Sequence, residues 1–259
     1  MNKVRILNVE FDNVSEQELL EQLTEGVLVT PNIDHLAKLQ KDESFYGIVN
    51  RAEWVICDSK IIFLASKLLN RPLKEAIPGS GFFPHFYMYH KDDPNMKIFL
   101  LGAKDGVADK AMQQINQRLY DEGGRDRALG DMVIGAYSPS FGFEKSEAEN
   151  EQICQMIRES SVNVVLVGVG CPKQEKWIDA HKAQMPNVKI WMALGATIDF
   201  EAGNVKRAPK IFQKTATEWL YRLFAEPKRM YKRYLIDDPP ILLQLIKDKF
   251  GKYKNPFKE

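Results

Sequence analysis

Val162-Asn163-Val164-Val165-Leu166-Val167-Gly168-Val169-Gly170-Cys171-Pro172-Lys173-Gln174-Glu175 is the stretch whose reading decides the fold. Its first half is a continuous β-branched run, not an alternating one, which is the pattern of a strand buried on both faces. Its second half begins with two glycines, which let backbone approach a neighbour closely, and a proline suited to the first turn of a helix. The same grammar recurs along the chain. Val27–Thr30 leads into a helical pattern over 33–40, Trp54–Cys57 into 60–69, and Lys97–Gly102 into 106–120. Met132–Tyr137 precedes 147–158, Val162–Val169 precedes 173–183, and Val188–Leu194 reads as the last strand. Buried strands alternating with helices at this pitch predict a parallel sheet with right-handed crossovers. The fold class is therefore α/β, a Rossmann-like parallel-sheet sandwich over residues 1–203.

Composition agrees. Over 259 residues, 44% apolar and 27% charged are globular proportions, which excludes collagen-like and disordered chains. No apolar run approaches the roughly 18–20 residues needed to span a bilayer. Acids stand in the first 20 residues where a signal peptide would be apolar, so export is not expected. Cys57, Cys154 and Cys171 are odd in number and far apart, which fits a reducing cytoplasm and neither a disulfide framework nor a C-x-x-C metal site.

The net charge of +1 hides an asymmetry. Residues 205–259 carry 14 Lys and Arg against 6 Asp and Glu, a balance of +8 that leaves the body at −7. Residues 204–259 thus read as a basic helical appendage: a helix over 215–234 interrupted near Pro227, a break at Asp237-Asp238-Pro239-Pro240, and a short helix over 241–250 with Ile241, Leu242, Leu245 and Ile246 as its apolar face. Such a tail suits a polyanionic partner or a solvated surface. Trp219, Tyr221 and Phe224 sit at helical spacing, a pattern of core packing more than of base stacking, so nucleic acid is not the expected partner.

In an open parallel sheet, ligands bind beyond the carboxyl ends of the strands. The Gly168–Glu175 turn there is suited to a phosphate or nucleotide at a helix N-terminus, or is simply a tight βα turn. Neither the dinucleotide fingerprint nor a Walker lysine pattern is present. Asp58 ends a buried strand just before a helix, so it is either a partly desolvated base or a helix N-cap. Thr30 and Asn32 are placed to bond a polar ligand, though Asn32 or Asp34 equally suits capping, and His35 reads as structural. No D-x-D occurs to hold a metal on a diphosphate. Cations would then do that work, and Arg222, Arg229 and Arg233 are candidates, unless they are plain exposed helix charges.

Taken together, Val164–Ile178 resembles the G-x-G-x-P-K-Q-E-x-W-I signature of the WecG/TagA/CpsF glycosyltransferases. Phe200–Gly203 with Val205–Pro209, Glu218–Leu223, and Glu226–Arg229 followed by Arg233-Tyr234 match further family segments. Thr30-Pro31-Asn32 and Cys57-Asp58 fall where that family has its T-x-N loop and D-G step, and Phe141–Phe143 lies near its G-Y-F. Ser59 replaces the usual Gly. Ile77–Phe82 resembles the R-x-x-G-S-D-L segment with Gly81 in place of its acid.

The resemblance implies an inverting transferase that needs neither metal nor other cofactor. It would move a sugar (N-acetylmannosamine, its uronic acid, or a hexose such as glucose) from a UDP-sugar to a saccharide on a polyprenyl diphosphate. A non-catalytic nucleotide-sugar-binding protein is the alternative. In the transferase reading that the resemblance implies, Asp58 is the general base, and Thr30, Asn32, Gly79 and Ser80 position the sugars. Gly168, Gly170, Pro172, Lys173, Gln174 and Glu175, with Tyr137, hold the UDP; the tail arginines stabilise the leaving diphosphate. The expected place is the cytoplasmic face of a bacterial membrane, with the appendage on the anionic surface. Monomer, dimer or larger homo-oligomer all fit the motifs.

Overall fold

A computed structural model describes residues 2–205, 223, 231 and 238–258. In chain order its elements begin β1 (Lys3–Ile6), β2 (Val9–Asp12), α1 (Glu16–Gln22), β3 (Gly26–Val29), α2 (Ile33–Lys38) and α3 (Glu43–Arg51). Then come β4 (Trp54–Val55), α4 (Lys60–Leu68), α5 (Gly79–Tyr89), β5 (Ile98–Gly102), α6 (Val107–Asp121) and β6 (Val133–Tyr137). The last are α7 (Glu147–Arg158), β7 (Val164–Gly168), α8 (Lys173–His181), β8 (Ile190–Ala193), α9 (Thr197–Glu201) and α10 (Pro239–Lys249). The expected helix over 215–234 lies outside the described residues, apart from Leu223 and Tyr231, both helical.

The described residues divide into two units, 2–15 with 30–78 and 238–258, and 16–29 with 79–205. The second contains the parallel sheet, with strand order β3-β8-β7-β5-β6. Every residue of β5, β7 and β8 is buried, because α6 and α8 pack on these strands. That is the physical source of their unbroken apolar runs, and the fold is the expected Rossmann-like α/β sandwich. At the far end of α9, the Glu201 carboxylate is 3% exposed. It accepts hydrogen bonds from Tyr87 Oη (3.0 Å) and Arg118 Nη1 (2.6 Å), tying α5, α6 and α9 together. Burial and the Glu201 charge raise the Tyr87 phenol pKa, so it stays a donor.

The first unit is assembled differently. β1 and β2 form an antiparallel hairpin, Lys3 opposite Asp12 and Ile6 opposite Val9. Side chains then reach across long stretches of chain. Asn8 Nδ2 donates to the Leu39 carbonyl (2.7 Å), and Gln40 Nε2 to Asn8 Oδ1 (2.7 Å). Asp248 of α10 accepts from the Leu7 amide (3.0 Å) and from both terminal nitrogens of Arg71 (3.2 Å).

That clamp corrects the expected apolar face of the last helix. Ile241, Leu245 and Asp248 share the buried face at i, i+4 and i+7, and Leu242 and Ile246 are exposed. One buried carboxylate with a fixed partner set decides the rotation of the helix, since leaving it unpaired would cost more than exposing two aliphatic side chains. The hairpin, α1, α3 and α5 were not expected from the sequence. α5 in particular is apolar nearly all round, with Phe82, Phe83, Phe86 and Tyr87 buried, so it shows no stripe to read.

Candidate functional site

In the second unit the chemistry begins with connectivity. β5 passes through α6 to β6 on one side, while β7 passes through α8 to β8 on the other. The direction of winding therefore reverses between β5 and β7, and a crevice opens beyond the carboxyl ends of strands at such a point. The two strands end in Gly102 and Gly168. Gly102 has φ +143°, and a Cβ there would lie 2.5 Å from the Gly168 carbonyl oxygen. Only glycine permits that approach. Ala103 follows with φ +61°, an unusual conformation for a residue with a side chain, and its amide donates to the Gly168 carbonyl (3.3 Å).

The motif turn then folds on itself. Gly170, with φ +89°, donates its amide to Gln174 Oε1 (3.1 Å), and the Gln174 amide donates back to the Gly170 carbonyl (3.0 Å). Gln174 Nε2 donates to Glu175 Oε1 (2.9 Å). Both side chains are 1% exposed. Gln174 and Glu175 thus shape the turn from inside, with Pro172 at the cap position of α8 and no side chain capping that helix. Behind it, Trp177 Nε1 donates to Asn150 Oδ1 (2.8 Å), and its ring lies tilted against those of Phe143 and Trp191.

Lys173 opens α8 and is held by Glu144, Nζ to Oε1 2.8 Å, with the exposed Phe141 ring 5.3 Å away. The Lys173 hydrogen bond lowers the Glu144 pKa. Tyr137 ends β6, and its hydroxyl donates to Glu149 Oε1 (3.3 Å). Glu149 also accepts from the Ser140 amide (2.7 Å) and hydroxyl (2.5 Å), which lowers its pKa. Burial first, then the Glu149 charge, raises that of Tyr137. Glu144 and Glu149 were missed by sequence reasoning, as was the 102–106 turn with its exposed Lys104. The turn had a legible signal, glycines four apart after a buried strand; the glutamates had none.

Gly79 and Ser80 are the first residues of α5. Pro84 within that helix has no amide to return to the Ser80 carbonyl. At Gly81 an added Cβ would meet nothing within 4 Å, so packing does not require glycine in place of the family's acid.

In the first unit, Thr30, Asn32 and Asp58 come together at the backbone: the Asp58 amide donates to the Pro31 carbonyl (3.3 Å). Thr30 is buried. Asn32 is the N-cap of α2, its Oδ1 accepting from the His35 amide (3.3 Å) and lying 2.9 Å from His35 Nδ1. That oxygen serves the cap of α2. Asp34 pairs with Lys38 (2.7 Å), and the buried His35 packs on Phe45.

Asp58 is half-buried and is not the cap of α4. Ser59 is, through Oγ accepting from the Ile62 amide (3.4 Å). The serine that departs from the family pattern takes the capping duty that a strand-end aspartate could have had. Cys57 beside it is inert, because burial pushes its thiol pKa up to about 12. Arg222, Arg229 and Arg233 lie outside the described residues.

The glycosyl transferase WecG/TagA/CpsF family matches residues 4–255. The N-acetylglucosaminyldiphosphoundecaprenol N-acetyl-beta-D-mannosaminyltransferase of Staphylococcus aureus strain MRSA252 is 29% identical over 238 residues, covering 88% of this chain and 87% of its own. The protein of the same name from strain NCTC 8325 is similar to the same extent.

Proposed function

Because the chain belongs to the glycosyl transferase WecG/TagA/CpsF family, and is a glycosyltransferase, we propose that it moves N-acetylmannosamine from UDP to N-acetylglucosamine carried on a polyprenyl diphosphate. The sugar and acceptor follow the name of the Staphylococcus aureus relatives. The single observation that carries the reading is that the Gly168–Glu175 motif forms the turn at the winding reversal of the sheet, where a nucleotide is expected.

In the proposed step the acceptor hydroxyl oxygen attacks the anomeric carbon on the face opposite UDP. Asp58 takes the hydroxyl proton, the carbon–oxygen bond to the diphosphate breaks, and its electron pair leaves with UDP. One carboxylate suffices for inversion. Charge then accumulates on the diphosphate, where each aligned donor is worth about 3 kcal/mol of barrier. The α8 N-terminus and Lys173 supply donors, and Arg222, Arg229 and Arg233 are assigned to the leaving group without a metal. Thr30, Asn32, Gly79 and Ser80 position the sugars, and Tyr137 lines the nucleotide side.

We assign the basic residues after 204 to the cytoplasmic face of the membrane. Among the described residues no helix is long and apolar enough to cross one. α10 exposes Leu242, Leu243 and Ile246, with Phe250 after it, beside Lys247 and Lys249, a composition suited to lying on an anionic surface.

The test is UDP release from a panel of UDP-sugars with a polyprenyl-diphosphate-N-acetylglucosamine analogue, in EDTA. Acceptor-dependent turnover with UDP-N-acetylmannosamine is expected, falling about 10²–10⁴-fold in Asp58→Ala, the range for loss of a general base. Turnover abolished by EDTA would refute the metal-free step. Full activity of Asp58→Ala would remove the base from that residue.

A further inference from the structure

Asp12 ends β2 with its side chain wholly buried. A carboxylate out of water needs a reason, since burial without full pairing is costly. Its Oδ2 accepts a hydrogen bond from the Val55 amide (2.8 Å). The nearest cation, Lys3 Nζ, is 3.7 Å from Oδ1, and that oxygen has no hydrogen-bond partner. Burial raises the Asp12 pKa above the usual carboxylate range, against the opposing pull of the Val55 amide and of Lys3.

What this carboxylate holds is the short strand that delivers Asp58. β4 is two residues long, and Asp58 lies three residues beyond Val55. Backbone bonds also hold the same segment, among them the Ile77 amide to the Cys57 carbonyl (2.7 Å) and the Asp58 amide to the Pro31 carbonyl (3.3 Å). No side-chain substitution can tune these two. Asp12 is the side-chain pin of the set, and it grips the segment at its start.

We propose that Asp12 is a positioning residue for the reaction, holding the β4 backbone so that the Asp58 carboxylate meets the acceptor hydroxyl. The proposal rests on the reading of Asp58 as the base. Its chemistry is an acceptor at a fixed place, and charge is secondary. A carboxylate and a carboxamide of the same shape are therefore equivalent, whereas one added methylene is not.

Two conservative variants, one isosteric and one longer by a methylene, separate these properties. Asp12→Asn keeps an oxygen for the Val55 amide and discards the charge; Asp12→Glu keeps the charge and shifts the oxygen. The expected result is that Asn retains kcat within about 3-fold of wild type. Glu should lose up to about 10²-fold in kcat, the scale for a displacement near 1 Å at a reacting group. KM for donor and acceptor should stay within about 3-fold in both. A structural role alone would lower the melting temperature and leave this split unmoved.

Wild-type kcat in Asp12→Glu would overturn the proposal, as would an Asn variant as impaired as the Glu variant, or a loss carried in KM. The premise is checked in parallel. If Asp58→Ala turns over like wild type, the base assignment fails. If Asp58→Ala is inactive and Asp12→Glu is unimpaired, only the positioning role fails.

Discussion

The Gly168–Glu175 turn and the neighbourhood of Asp58 are built by opposite means. The first stands at the end of five parallel strands, β3-β8-β7-β5-β6, whose backbone bonds and close glycine contact set the frame within which Gln174 and Glu175, neighbours in sequence, shape the turn. The second hangs from short elements joined by buried side chains from distant parts of the chain: Asp12 on Val55, Asp248 on Leu7 and Arg71, Asn8 on Leu39. A ladder repeats its bonds, so one loss is shared. A pin is single, so one loss removes the attachment. The first region should therefore be sensitive to added volume and the second to deleted polar atoms.

The largest effect expected from that contrast is at Gly102. Gly102→Ala puts a Cβ 2.5 Å from the Gly168 carbonyl, at a φ of +143°. Strain and overpacking together should cost about 4 kcal/mol in denaturant unfolding and weaken UDP binding. A cost below 1 kcal/mol would mean that the two strand ends separate easily. Next comes Asp248→Ala, which leaves the Leu7 amide and Arg71 without their acceptor. About 3 kcal/mol is expected in the same measurement, given a 7% exposed carboxylate facing a guanidinium. An effect near zero would show that α10 is held by its apolar contacts alone.

Acid should then affect the two regions with opposite sign. The folded pKa of Asp12 is raised, so its ionised form opposes folding at neutral pH, and that penalty lifts as pH falls through its folded value. Glu144 and Glu149 have lowered pKa values, so their contribution is present above the ordinary glutamate range and disappears as pH falls through their folded values. Relative to wild type, Asp12→Asn should be more stable at pH 7, the advantage shrinking towards pH 4; Glu149→Gln should be less stable at pH 7 and equal to wild type in acid. Thermal melts across pH would show both slopes, and parallel curves would break the comparison. The smallest effect is at Gly81, where a side chain has open space in the first turn of α5. Gly81→Asp should change stability by about +0.5 kcal/mol or less through the helix dipole, with UDP binding kept.

The two regions also differed in how far they could be read. β7 and α7 are nearly legible from residues alone, because continuous apolar runs and a helical stripe are local signals. The same holds for Lys173 and Gly170, whose places follow from the strand before them. Asp58 and Asn32 were legible as positions and ambiguous as roles, since a strand-end acid and a helix cap look alike in sequence. One hydrogen bond each narrowed them: Ser59 Oγ with the Ile62 amide takes the α4 cap away from Asp58, and Asn32 Oδ1 with that of His35 makes Asn32 the α2 cap.

Sequence alone determined the α/β class, the family and the motif turn, because periodicity and short motifs are encoded by neighbours along the chain. Tertiary structure decided the strand order, and with it the winding reversal between β5 and β7. It also decided which face of α10 is buried and what holds Asp58. Each depends on partners far apart in sequence, 241 residues in the case of Leu7 and Asp248, and on the cost of burying a polar group unpaired. Local pattern carries no record of that cost.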